Sequence, residues 1–120
     1  MSLNRLSDKL VFNILAGINI GNLEITNYQG EVFKFGNPQD NLKAKLKIKK
    51  PNFSFNLIKG GSIGFAESYM RGEFETDNLS NLIEITARNI KIIYKFSGLL
   101  DFPIINFLKG IFIKNTKNRS

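Results

Sequence analysis

The chain contains no cysteine and no histidine. Without cysteine neither a disulfide framework nor a thiolate metal site can form, a composition that fits a reducing compartment. Without histidine the commonest general base at neutral pH and the commonest metal ligand are both missing. An enzyme built from this chain would have only carboxylates, lysines and tyrosines to work with. Acid is scarce as well, with 10 Asp and Glu against 17 Lys and Arg and a net charge of +7. No run approaches the roughly 18 consecutive apolar residues of a bilayer-spanning helix. The start, "MSLNRLSDKLVFNILAG", lacks the basic opening, unbroken apolar run and small-residue cleavage site of a secretory signal. These absences lower the case for self-contained catalysis and point to an anionic partner, either nucleic acid or an anionic membrane surface.

What is present amounts to one domain: 120 residues, 42% of them hydrophobic, enough to bury a single core. We place that domain at residues 1–113 and read 114–120, "KNTKNRS", as a basic linker. Positive charge falls in two zones. Residues 34–59 hold seven lysines and the acid Asp40, and residues 88–120 hold seven basic residues and Asp101. The stretch between them carries five acids and Arg71.

Leu3, Leu6, Leu10, Val11 and Ile14 recur at helical spacing, and Gly17 is a natural stop. "NLEITNYQGEVFKFG" reads as a β-hairpin around "NYQG". "LKAKLKIKK" alternates strictly, with Leu42, Ala44, Leu46 and Ile48 on one face and Lys43, Lys45, Lys47 and Lys49 on the other. After a turn at Pro51, "FSFNLIKG" alternates again through Phe53, Phe55 and Leu57 and is expected to be a fourth strand. The period then changes to 3.6. A short helix capped by Ser62 is expected over 63–71, ended by Gly72 in a left-handed conformation, and a long helix capped by Asp77 over about 78–96. Leu99 to Ile113 is intensely apolar, broken by Pro103 and Gly110. The fold class is α+β: an antiparallel sheet of about four to five strands backed by helices.

The glycines of "GGSIG" suggest a phosphate cradle, but no Walker lysine follows and no "GxGxxG" is present, so a strand-to-helix turn accounts for them better. Glu67, Glu73, Glu75 and Asp77 suggest paired acid–base carboxylates. A structural account is simpler: Glu67 pairs with Arg71 one turn on, Asp77 caps a helix, and Glu73 and Glu75 occupy a solvated turn. No calcium-loop spacing is found. The lysine face is either the solvated side of a strand or an anion-binding surface. It lacks the interleaved aromatics of nucleic-acid-binding sheets, which disfavours nucleic acid. Leu99 to Ile113, with Lys95, Lys109 and Lys114, combines charge and apolar residues as a membrane interface requires; docking on another domain is the compatible alternative.

"GGSIGFAESYMRGEFETDNLSNLIEI", following Phe35–Gly36, Ala44, Leu46, Ile48, Pro51 and Phe53, resembles the N-terminal region of the cyclopropane-fatty-acyl-phospholipid synthase family. These are S-adenosylmethionine-dependent methyltransferases that modify the acyl chains of membrane lipids. The resemblance covers about residues 20–120. It implies a small α+β domain similar to sterol-carrier-type lipid-binding domains, cytoplasmic and peripheral to the inner face of the membrane. Such a domain would help present membrane phospholipid to a C-terminal methyltransferase domain, and the lysine strand and basic tail would favour an anionic phospholipid membrane surface. The family's "HYDLGNDFY"-like motif and glycine-rich cofactor loop have no counterpart here, so no catalytic or S-adenosylmethionine-binding residue carries over. Whether the chain itself counts as an enzyme is open on this reading. Candidate lipid or membrane contacts are Lys43, Lys45, Lys47, Lys49, Phe65, Tyr69, Met70, Leu99, Phe102 and Phe107; Glu67, Arg71 and Asp77 are assigned structural roles. The alternatives are a stand-alone lipid carrier enclosing an acyl chain among Phe65, Tyr69, Met70 and the long helix, and an RNA-binding module.

Overall fold

The computed structural model describes residues 3–97. Helix α1 (Leu3–Leu15) is followed by strands β1 (Asn22–Thr26), β2 (Val32–Gly36) and β3 (Lys43–Ile48). Helix α2 (Phe53–Met70), strand β4 (Phe74–Thr76) and helices α3 (Leu79–Arg88) and α4 (Ile90–Ser97) complete the order. The class is α+β, with an open four-stranded sheet in the order β2-β1-β3-β4 backed by helices.

The first helix, the hairpin and the lysine strand stand where the periodicity puts them, but α1 is turned. Its buried positions are Ser7 and Val11, while Leu3, Leu6 and Leu10 of the expected core stripe are exposed. Phe12 carries much of the packing instead, meeting the rings of Phe33 and Phe35 on β2 with centroids 4.9 and 5.7 Å apart.

The sheet is mixed rather than wholly antiparallel. β1 pairs antiparallel with β2 and parallel with β3, and β3 pairs antiparallel with β4. The loop after β2 causes this, because it is bonded to the start of β1 and passes that end instead of turning back beside β2. Asp40 accepts from Gly21 N–H at 2.8 Å and from Leu42 N–H at 2.9 Å. Asn37 N–H donates to Gly21 C=O and Asn22 N–H to Leu42 C=O. The two amides, Leu42 first and then Gly21, hold the Asp40 carboxyl below its usual range.

"FSFNLIKG" is helical rather than a strand: it forms the first half of α2. The buried positions of α2 include Phe53 and the small residues Ser54, Gly61, Gly64 and Ser68. At Gly61 the helix kinks, with φ 58° and ψ −134°, a conformation that only glycine adopts without strain. The short helix expected after Ser62 is therefore the second limb of a longer, kinked one. Gly72 then takes the expected left-handed conformation, φ 70°.

The fourth strand lies in what reads as a solvated turn. Phe74 of β4 is 1% exposed, and the rings of Phe53, Phe65 and Tyr69 surround it at centroid distances of 5.2, 5.0 and 5.6 Å. Phe74 joins Leu23, Ile25, Ala44, Leu46, Ile48, Leu82 and Ile85 in one core on the helix-facing side of the sheet.

The expected long helix is two. It begins at Asn78, whose Oδ1 accepts from Asn81 N–H at 2.9 Å, so Asn78 and not Asp77 is the cap. It breaks at Asn89, which is 1% exposed. Asn89 Oδ1 accepts from the N–H groups of Asn19 and Ile20 at 3.1 and 3.2 Å. Its Nδ2 donates to the carbonyls of Ile20 and Ile85 at 2.8 and 2.7 Å. All four bonds an amide can make are made. At about 1 kcal/mol each, with buried backbone groups orphaned on removal, Asn89→Ala is expected to cost about 4 kcal/mol. Urea unfolding at pH 7 measures this, and a loss below about 1 kcal/mol would contradict it.

Candidate anion-binding face

In the sheet register Ala44, Leu46 and Ile48 point to the core, and Lys43, Lys45 and Lys47 point outward and are exposed. On this outer face Glu24 of β1 lies between Lys34 of β2 and Lys45 of β3. In the next rows Asn22 neighbours Lys43, Thr26 neighbours Lys47, and Lys47 faces Glu75 of β4. The face thus sets four lysines among two glutamates, with Asn22 and Thr26 between them. Lys34, Glu24 and Glu75 escape a strand-by-strand reading, since only the register brings them beside β3. The one available clue is the alternation of β1, which puts Glu24 opposite its buried neighbours.

Lys49 lies just past β3 and pairs with Glu75, Nζ to Oε1 3.4 Å, both side chains well exposed. Such a pair contributes at most about 1 kcal/mol and leaves the lysine free to exchange partners. Asp77 fixes the strand from which the lysines project: its Oδ1 accepts from Lys45 N–H at 2.7 Å, and its own N–H donates to Lys45 C=O at 3.3 Å. Asn81 Nδ2 adds a bond to Lys43 C=O at 2.9 Å. The lysine row is therefore carried on a backbone held from both β4 and α3.

Phe65, Tyr69 and Met70 lie in the helix layer, on the other side of the sheet from the lysines. Phe65 and Tyr69 pack on Phe74, Tyr69 staying 44% exposed, and Met70 and nearby Ile63 are 76% and 67% exposed. The sheet does not bring the apolar candidates and the lysines into one patch. Leu99, Phe102 and Phe107, and the 114–120 linker, lie outside the described residues.

The carboxylates divide between surface and interior. Glu67 is exposed and pairs with Arg71 at 3.2 Å, one helical turn away. Glu73, expected in a solvated turn, has an 11% exposed side chain. It accepts from Arg71 Nε at 2.8 Å and Asn56 Nδ2 at 3.2 Å. The Arg71 guanidinium is the main cause holding the Glu73 carboxyl down at about 2; burial opposes it. Asn56 adds to the lowering, as does the buried Ser68 hydroxyl, which lies close by without reaching hydrogen-bond geometry. The arrangement ties the β4 entrance to α2. Among the described residues no group of three His, Cys, Asp or Glu could hold a metal, and no helix is long and apolar enough to cross a membrane.

The glycines of "GGSIG" do not fit a cofactor loop. Gly61 makes the kink of α2, and a Cβ on Gly64 would run into the carbonyl of Asn56 in the preceding limb, so close packing of the helix on itself explains both. No family model, no curated protein and no solved structure matches this chain.

The folded-state pKa of Glu73 lies below its ordinary value of 4.5, so its contribution is complete above about pH 5 and is lost as pH falls toward about 2. With allowance for the half-exposed Arg71, that contribution is about 2 kcal/mol. Glu73→Gln is expected to lose this amount at pH 7 and to show a flatter stability profile between pH 5 and 2 in urea titrations. An unchanged profile would contradict the assignment.

Proposed function

We propose that this domain is non-catalytic and engages anionic phospholipid headgroups through the outer face of its sheet. In this reading it is the N-terminal part of a cyclopropane-fatty-acyl-phospholipid-synthase-like methyltransferase, peripheral to the inner face of a membrane and docked on a C-terminal catalytic domain. The observation that carries the lipid-surface reading is the exposed lysine row of β3, joined by Lys34, on a face whose opposite side takes up the helices. Each basic residue near an anionic bilayer contributes about 1 kcal/mol. The methyltransferase context rests on the resemblance of the 60–85 segment. On this reading any S-adenosylmethionine chemistry belongs to that other domain, since the sequence has no counterpart of the family's glycine-rich cofactor loop.

A stand-alone carrier enclosing an acyl chain among Phe65, Tyr69 and Met70 is less well supported, because the first two rings already pack on Phe74. An RNA-binding module would need stacking aromatics on the lysine face, and its strands present there Val32, Lys34, Asn22, Glu24, Thr26 and the lysines.

The chain is expected to sediment with vesicles rich in phosphatidylglycerol at low salt and to detach as salt is raised. Combining Lys43→Gln, Lys45→Gln and Lys47→Gln should weaken this about 100-fold, three basic residues' worth, with unfolding free energy nearly unchanged because the side chains are exposed. Equal binding to phosphatidylcholine vesicles, or an unaffected triple variant, would sink the proposal. Tighter binding to single-stranded RNA at physiological salt would favour the nucleic-acid reading.

A further inference from the structure

An open cleft of about 560 Å³ lies between the first turns of α1 and the tip of the β1–β2 hairpin, well within the size range of small-molecule sites. Three of its walls are aromatic: Phe12, Tyr28 and Phe33. Phe12 and Phe33 meet edge to face at 68° with centroids 4.9 Å apart, both lining the cleft. Tyr28, 52% exposed, stands at the hairpin tip. The same space is lined by the carboxylates of Asp8 and Glu31 and by the cations of Arg5 and Lys9.

The sequence of α1 orders these groups. Arg5 and Lys9 are one helical turn apart, and so are Asp8 and Phe12, which makes a cationic stripe beside an acid-plus-aromatic one. Glu31 is fixed within its turn: Asn27 Nδ2 donates to Glu31 Oε1 at 3.0 Å, and Glu31 N–H donates to Asn27 Oδ1 at 2.8 Å. A simple anion would meet two carboxylates here and a simple cation two basic groups. A ligand with an anion and an apolar-clad cation side by side would satisfy both stripes. Aromatic faces backed by carboxylates bind quaternary ammonium, and Arg with Lys bind phosphate.

We propose that this cleft binds a zwitterionic phosphodiester with a quaternary ammonium end, the chemistry shared by a choline-type phospholipid headgroup and its soluble glycerol phosphodiester. The ammonium sits against Phe12, Phe33 and Tyr28 near Asp8 and Glu31, and the phosphate spans Arg5 and Lys9. The inference goes beyond the lysine-face proposal and does not depend on it, because the soluble probe has no net charge and offers no surface.

The test is an amide NMR titration of the 120-residue chain with glycerophosphocholine, with tetramethylammonium, inorganic phosphate and glycerophosphoethanolamine as separate arms. Saturable shifts are expected at residues 5–12 and 27–33, with glycerophosphocholine binding tighter than any other arm. Tyr28→Ala should weaken binding about fivefold, the worth of one exposed cation–π contact, while leaving unfolding unchanged; Lys9→Gln should weaken glycerophosphocholine but not tetramethylammonium. Short-chain phosphatidylcholine below its micellar concentration separates the sources. Tighter binding than the glycerol diester assigns the lipid, equal binding assigns the soluble compound, and either supports the site. Absence of saturable shifts, phosphate or glycerophosphoethanolamine binding as tightly as glycerophosphocholine, or an unaffected Tyr28→Ala would overturn it.

Discussion

The structure depends on a buried amide. Asn89 sits where α3 gives way to α4, and its side chain saturates four backbone groups at once, three of them in the segment that leads from α1 into β1. A buried amide left half-satisfied would cost more than an apolar residue, so this one acts as a selector of geometry: only one placement of α3 against the entry to β1 satisfies it. That placement sets Leu82 and Ile85 on the inner face of the sheet, with Ile85 1% exposed. Gly21, on the way into β1, is pressed so closely against Ile85 that a Cβ would collide with it.

Covering one face leaves the other for the solvent. The inner face takes all the apolar strand residues except Val32, and the outer face takes Lys34, Lys43, Lys45 and Lys47 with Glu24 and Glu75 between them and the exposed Val32 in the same row as Thr26. The exposed apolar side chains Ile63 and Met70 belong to the helix layer instead. A membrane-facing reading of this domain is therefore electrostatic at the sheet. On the proposed reading, positive charge there would attract anionic headgroups over roughly a Debye length, without requiring side chains to enter the hydrocarbon.

Much of this order is legible in the residues, and the failures have physical causes. β3 is plain because strict alternation fits only a strand with one wet face. "FSFNLIKG" alternates too, yet it is helical: beside Phe53, α2 buries Ser54, Gly61, Gly64 and Ser68, small residues whose burial hydropathy does not register. β4 is three residues long and flanked by acids, so its one decisive residue, Phe74, passes for part of a turn. Asp77 and Asn78 are adjacent and equally good caps; which one caps depends on Asp77 being claimed by the Lys45 amide across the sheet. The break at Asn89 hides inside an apolar pattern that runs on without interruption. The lysines of the candidate face were identifiable from the strand alone, whereas Glu24, Glu75 and Lys34 join them only through register, a non-local property.

The central claim is that the outer face of the sheet meets anionic headgroups. Paramagnetic broadening of amide signals by headgroup-spin-labelled phosphatidylglycerol bilayers tests it most directly. The account predicts broadening concentrated at Lys34, Glu24, Lys43, Lys45 and Lys47 and absent around Ile63 and Met70. Broadening centred on the helix layer, or spread evenly over the molecule, would contradict it.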